Sequence, residues 1–135
     1  MLRTYVGGCH CQLVRFEARI DLNEGTLKCN CSFCSKLRFW HVKVRRDAFR
    51  LLSDEAAMTE YQGKNPVAHH PFCKQCGVHV FDRVDTPNAT GYPYINVNLM
   101  CLEGLDVNEA PNAPITYVNG LQDDWSNPPS ERRHL

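Results

Sequence analysis

Seven of the eight cysteines in this 135-residue chain stand in three tight groups: Cys9-His10-Cys11, then Cys29-x-Cys31-x-x-Cys34, then Cys73-x-x-Cys76-Gly77. No other feature restricts the fold as strongly. Thiols spaced in this way pair as disulfides, pack as reduced apolar side chains, or hold metal, and each choice dictates which distant segments meet. Tetrahedral zinc holds sulfur at about 2.3 Å, so neighbouring ligand sulfurs lie roughly 3.7 Å apart. A C-x-x-C turn can present two thiolates at that separation. A locally extended C-x-C run sends both side chains out on one face, where a slight bend makes them converge.

Compartment bears on the choice. "MLRTYVGGCHC" has no apolar h-region and no cleavage site, so no export signal is expected. No apolar run approaches the roughly 20 residues that span a bilayer. The expectation is a soluble, cytoplasmic chain in a reducing compartment, where cysteines hold metal or do chemistry. With 15 basic and 15 acidic residues the chain has no net charge, which argues against nucleic acid or a membrane as partner. The one basic run, Lys43-Val44-Arg45-Arg46, alternates with apolar residues and reads as the solvated face of a strand rather than a phosphate contact.

Alternation of apolar and polar residues marks strands at "VRFEARI" (14–20), "FWHVKV" (from Trp40), "VHVFD", "YINVNLM" and "ITYVNG". "AFRLL" and "MTEYQ" are shorter candidates, with a helical turn over Ser53–Ala57 capped by Ser53. "RVDTPNATGYP" reads as a polar loop. Seven to ten short strands predict a mainly β fold in a single zinc-binding domain over 1–135. Its core covers about 5–125 and its polar tail 126–135, and the tail is expected on the surface or poorly ordered apart from Trp125. Short edge strands leave pairing groups open, which allows a homodimer.

The natural pairing joins Cys9, Cys11, Cys73 and Cys76 as a closed zinc site that clips the N-terminal strand to a distant knuckle. The alternative is a set of buried, reduced thiols. Gly77 after the knuckle and Gly7-Gly8 before Cys9 are expected to supply backbone freedom beside the ligands. Cys29, Cys31 and Cys34 then remain. Three protein ligands and a vacancy are the pattern of catalytic zinc. Competing readings are a closed site completed by Cys101 or a histidine, and a metal-free redox trio. Three thiolates make a weak Lewis acid, so the better use of such a zinc is to bind and deprotonate an incoming thiol.

"GGCHC", "CNCSFCSK" and "FCKQCG", in this order and at these distances, resemble the glutathione-dependent formaldehyde-activating enzyme family. "CNCSFC" through "FRLL" and "HHPFCKQCGVHVF" look especially like its centromere protein V branch. The resemblance runs from about Tyr5 to Trp125. It implies an Mss4-like fold of small packed antiparallel sheets with zinc knuckles, and two Zn²⁺ per chain. Cys9, Cys11, Cys73 and Cys76 match the structural ligands, and Cys29, Cys31 and Cys34 the catalytic ones. The implied activity is that of a carbon–sulfur lyase, an S-(hydroxymethyl)glutathione synthase-like enzyme that joins or separates glutathione and formaldehyde. The alternative is a non-catalytic, zinc-stabilised binding module that docks a protein or thiol ligand. Cys101 and the bulky Phe39-Trp40-His41 depart from the pattern and bear on the pocket.

For the proton transfer such a reaction needs, His41 is the candidate, against the plainer reading of a half-buried, satisfied histidine. His69 and His70 are adjacent in a strand, so at most one faces the knuckle. His10 is expected to point away from the metal and His79 to face solvent. Lys36 and Arg38 can pair with a substrate carboxylate or simply be surface charge. Trp40, Tyr92 and Tyr94 can line a pocket or the core.

Overall fold

In the computed structural model, residues 1–86, 91–106, 108 and 110–135 are described. Residues 87–90 of the expected polar loop lie outside them. The described residues form ten strands, one short α-helix and several single 3-10 turns: β1 (Arg3–Gly8), β2 (Arg15–Ile20), β3 (Thr26–Cys29), α1 (Ser32–Leu37), β4 (Trp40–Arg45), β5 (Phe49–Leu51), β6 (Met58–Tyr61), β7 (Ala68–Cys73), β8 (Phe81–Val84), β9 (Tyr94–Asn98) and β10 (Ile115–Val118). The chain is mainly β, as its periodicity predicts.

The strands form two sheets. The smaller runs β1-β2-β5 and the larger runs β10-β3-β4-β9-β8-β7-β6. Every pairing is antiparallel except β10 with β3, which is parallel. β2 shows how sequence becomes layer: Phe16, Ala18 and Ile20 are buried on one face while Arg15, Glu17 and Arg19 take the other. Phe16 then stacks on Phe49 at 5.4 Å, and Phe49 meets Phe81 of the larger sheet at 4.7 Å. This ring ladder joins the two sheets, and truncating fully buried Phe16 to alanine costs about 3–5 kcal/mol.

The helical turn after β5 forms over Glu55–Ala57, but Asp54 caps it by accepting from the Ala56 N–H; Ser53 instead pairs with the Arg15 backbone. A carboxylate beside the turn's free N–H groups outcompetes the hydroxyl one residue earlier. Gly77 takes φ +75°, the positive angle expected after the knuckle. Gly7 serves a different purpose. It lies in extended β1, and a Cβ there would run into the Phe16 ring and the Cys101 carbonyl. Most of the tail is exposed, with a few specific contacts. Pro129 is buried, Lys28 Nζ donates to the main-chain oxygen of Leu135 at 3.0 Å, and Arg132 lies over the Tyr117 ring, whereas Trp125 is 57% exposed. Its polar composition hid these specific contacts with β3 and β10.

Candidate metal centre and its surroundings

The end of β1 and the end of β7 bring two thiol pairs together. The Sγ atoms of Cys9, Cys11, Cys73 and Cys76 all lie within 4.8 Å of one another. Cys9–Cys11 and Cys11–Cys73 are each 3.6 Å apart, close to the edge of a zinc–sulfur tetrahedron. Backbone N–H groups of Val14, Gln75 and Cys76 point at the sulfurs of Cys9 and Cys73 from 3.3–3.4 Å, as suits thiolates. Four sulfurs at this spacing cannot all carry charge unaided. The backbone N–H of Cys11, followed by that of Val78, draws the Cys76 thiol down to about 6. Cys11 keeps its proton: against the pull of the Leu13 backbone, desolvation and its three sulfur neighbours push it up to about 12. The donor set fits a divalent cation that would relieve this repulsion.

Cys29, Cys31 and Cys34 form the second group, again with all Sγ atoms within 4.8 Å. Cys29 ends β3, Cys31 caps α1 by accepting from the Cys34 N–H at 3.3 Å, and Cys34 sits in its first turn. The helix has six residues and buries none of them; by propensity alone it would not persist in water. Its geometry comes from the thiol turn and from Arg38, which ends it at φ +51°. Hydrogen bonds with Cys29 and then Cys34 pull the Cys31 thiol down to about 2, while those with Cys29 and then Cys31 push Cys34 far up. One negative charge is shared readily among three sulfurs; two more need a cation. No fourth Cys, His, Asp or Glu joins these three within the same reach among the described residues.

One wall of this group is a backbone turn. A Cβ at Gly120 would lie 2.6 Å from Cys29 Sγ, 3.0 Å from the Trp125 ring and 3.1 Å from Cys31 Cβ. Asn30, between the first two ligands, holds that turn: its amide donates to Asn119 at 2.8 Å and its carbonyl accepts from the Leu121 N–H at 3.0 Å. Phe33 also carries an aromatic layer to the three-cysteine turn. The ring of Phe33, between Cys31 and Cys34, lies 3.9 Å from His70 and 5.8 Å from Tyr61.

Behind Phe33 is a third cluster. His70 Nδ1 and His79 Nε2 meet the same Asp82 oxygen at 2.7 and 2.6 Å. Burial acts to raise the Asp82 carboxyl, but hydrogen bonds from His70 and His79 outweigh it and hold the carboxyl below its usual range. His79, expected in solvent, is only 8% exposed. Val78–Val80 form no strand, so alternation does not apply there. His69 faces the other way, with Glu60 and Asp85 each 2.9 Å from its ring nitrogens. His10 is exposed.

His41 lies on β4 opposite Leu27 and Asn98, 6% exposed, stacked on Phe39 at 4.6 Å, with Nδ1 unpartnered. Burial pushes it down to about 4. Cys101 stands outside the three-sulfur group, 4.0 Å from the His79 carbonyl, and is pushed up to about 11, first by burial and then by Cys9 and Cys76. Lys36 and Arg38 are exposed, Trp40 donates to Thr26, and Lys43 and Arg45 cover the rings of Tyr94 and Tyr92. The sequence reading missed Asp82, Asn30 and Gly120. The three-residue step from His79 to Asp82 was the one signal that could have found the first.

A family model described as glutathione-dependent formaldehyde-activating enzyme matches residues 4–118. Among solved structures, the crystal structure of a Rhodobacter sphaeroides protein is similar at 27% identity. The match covers 82% of this chain and 99% of that one, with a TM-score of 0.68.

Proposed function

Because this chain belongs to the glutathione-dependent formaldehyde-activating enzyme family, we propose that it is a carbon–sulfur lyase acting on a thiol–aldehyde adduct such as S-hydroxymethylglutathione. Membership implies formaldehyde activation with glutathione; the reaction type, the zinc dependence and the residue roles are our reading. In it the whole chain is one zinc-binding domain of the Mss4-like type, working in the reducing cytoplasm.

Cys9, Cys11, Cys73 and Cys76 would hold a structural Zn²⁺, and Cys29, Cys31 and Cys34 a second one. The second ion would supply a Lewis acid that lowers the pKa of an incoming thiol from about 8.5, so that the thiolate exists at neutral pH. The protein's own groups do the rest. Asn30 and Gly120 keep the backbone turn against Cys29 without filling the space beside it. Phe33 and Tyr61 give the adduct an apolar wall, and Trp125, beside Gly120, offers a second. In cleavage the adduct's hydroxyl loses its proton as the carbon–sulfur bond breaks, and the bonding pair leaves on sulfur. In synthesis the steps reverse. His41 was the sequence candidate for holding that proton; its burial keeps it neutral at pH 7.

The observation that carries the reading is the donor count: four sulfurs converge in one cluster and three in the other, with no fourth Cys, His, Asp or Glu among the described residues joining the second. The test is zinc per chain together with turnover. The wild type is expected to hold two zinc ions and to speed exchange between free glutathione and its formaldehyde adduct, followed by NMR exchange spectroscopy. Two zincs without turnover, the second closed by a protein atom, would instead favour the binding module. No zinc would reject both.

A further inference from the structure

Forming or breaking a thiol–aldehyde adduct moves a proton to or from oxygen, and the His70–Asp82–His79 group, which packs on Phe33 of the three-cysteine turn, has no part in the scheme above. We propose that His70, oriented by Asp82, is the residue that exchanges this proton with the adduct's hydroxyl, a role that rests on the thiol–aldehyde reading.

Position comes first. Phe33 lies between two of the three clustered cysteines, and its ring packs on His70 at a centroid distance of 3.9 Å. The His70 side chain is 13% exposed and reaches the surface where Phe33 and Tyr61 meet. His41, more deeply buried at 6%, is stacked behind Phe39. Of the two, His70 is the imidazole with a path to a visiting molecule.

Distances separate a proton from a metal in this group. The 3.6 Å sulfur contacts of the four-cysteine cluster suit donors around a cation. Nitrogen and oxygen ligands held at about 2.0–2.2 Å from one ion stand about 3 Å or more from each other. The 2.7 and 2.6 Å separations to Asp82 are instead those of charge-assisted hydrogen bonds. Each imidazole therefore donates an N–H to the carboxylate. With Nδ1 of His70 committed, Nε2 carries the free lone pair, the tautomer a general base needs. A proton arriving there makes an imidazolium whose charge Asp82 offsets.

His79 cannot share that work. Its Nδ1 is buried without a partner, and the rings of Phe39 and Phe33 stand edge-on to it at 4.7 and 5.8 Å. Protonating that nitrogen would bury an unpaired N–H. His79 is a positioning residue: it holds the carboxylate, and the carboxylate holds His70.

In cleavage, Nε2 of His70 takes the hydroxyl proton, the C–O bond becomes C=O, and the C–S pair departs on sulfur. The products are aldehyde, thiolate and protonated His70. In synthesis, that proton returns to oxygen as sulfur adds to the carbonyl carbon.

The experiment uses the zinc-loaded protein and S-hydroxymethylglutathione, with kcat and KM from NMR exchange rates. For His70→Ala we expect kcat to fall by about 10²-fold, the size of a lost general base, with KM and zinc content within twofold of wild type. Added imidazole should restore part of the rate. Asp82→Asn should lower kcat without rescue by imidazole. Should His70→Ala lose zinc or fold, His70→Gln is judged by the same criteria in its place. A variant with wild-type kcat, or one whose loss is entirely in KM and ignores imidazole, overturns the assignment while leaving the lyase reading intact. A wild type that does not turn over overturns both.

Discussion

The two sulfur clusters use similar chemistry in opposite architectural settings. The four-cysteine group joins segments 62 residues apart, Cys11 to Cys73, and so ties β1 of the small sheet to β7 of the large one. The three-cysteine group lies within six consecutive residues, Cys29 to Cys34, so it closes no long loop. The first cluster is therefore part of the fold's stability, because it closes a long loop. The second adds little to stability and leaves one side to a loop and an aromatic layer. Where a metal would be held determines whether its loss would unfold the protein or only silence it.

The largest effect should come from the long-range cluster. Cys73→Ser removes a buried donor from a site where a bound metal would contribute on the order of 10 kcal/mol to folding, comparable with the roughly 5–15 kcal/mol net stability of a whole domain. The expected result is loss of the cooperative thermal transition, measured by circular dichroism. A variant that melts like wild type would erase the contrast. Cys31→Ser should be milder in structure and complete in function: zinc falls from two to about one per chain, turnover disappears, and Tm moves by only a few degrees. Gly120→Ala comes next. Its Cβ would meet Cys29 Sγ at 2.6 Å, so zinc at the second cluster should weaken several-fold in a chelator competition while the first cluster keeps its ion.

The smallest effect tests the buried surroundings of β4 rather than its neighbouring sulfurs. The folded-state value for His41 is about 4, below the ordinary 6.5, so the unfolded chain binds the extra proton between those values. Its contribution is full above pH 6.5 and is lost as pH falls toward 4, at about 1.4 kcal/mol per pH unit. His41→Gln should make the denaturation midpoint less sensitive to pH in that window than in wild type. An unchanged slope would show that His41 is not held neutral by burial.

Much of this was legible in local pattern. Period-two alternation located most strands, including β2 and β4, to within a residue or so, because burying one face of a sheet imposes that period. Cysteine spacing identified the two groups, because tetrahedral ligands demand short, fixed separations. The pattern failed where side-chain contacts from elsewhere decide the outcome. His79 reads as an outward position of a strand, yet it turns inward to Asp82 because no strand forms there. The tail reads as surface or poorly ordered and is mostly exposed, yet Lys28 and Tyr117 contact its last residues. Gly7 reads as a flexible link, but a side chain there would strike Phe16.

From the sequence alone came the mainly β class, the partition of seven thiols into four and three, and the kind of chemistry three thiols in six residues can support. These follow from interactions between near neighbours along the chain, which spacing expresses directly. The tertiary structure decided that Cys101 stands apart from the three, that Gly120 and Asn30 shape one wall of the site, and that His70 rather than His41 lies beside Phe33. Each of those depends on segments brought together by folding, and no local spacing encodes the meeting of residues 30 and 121, or 33 and 70.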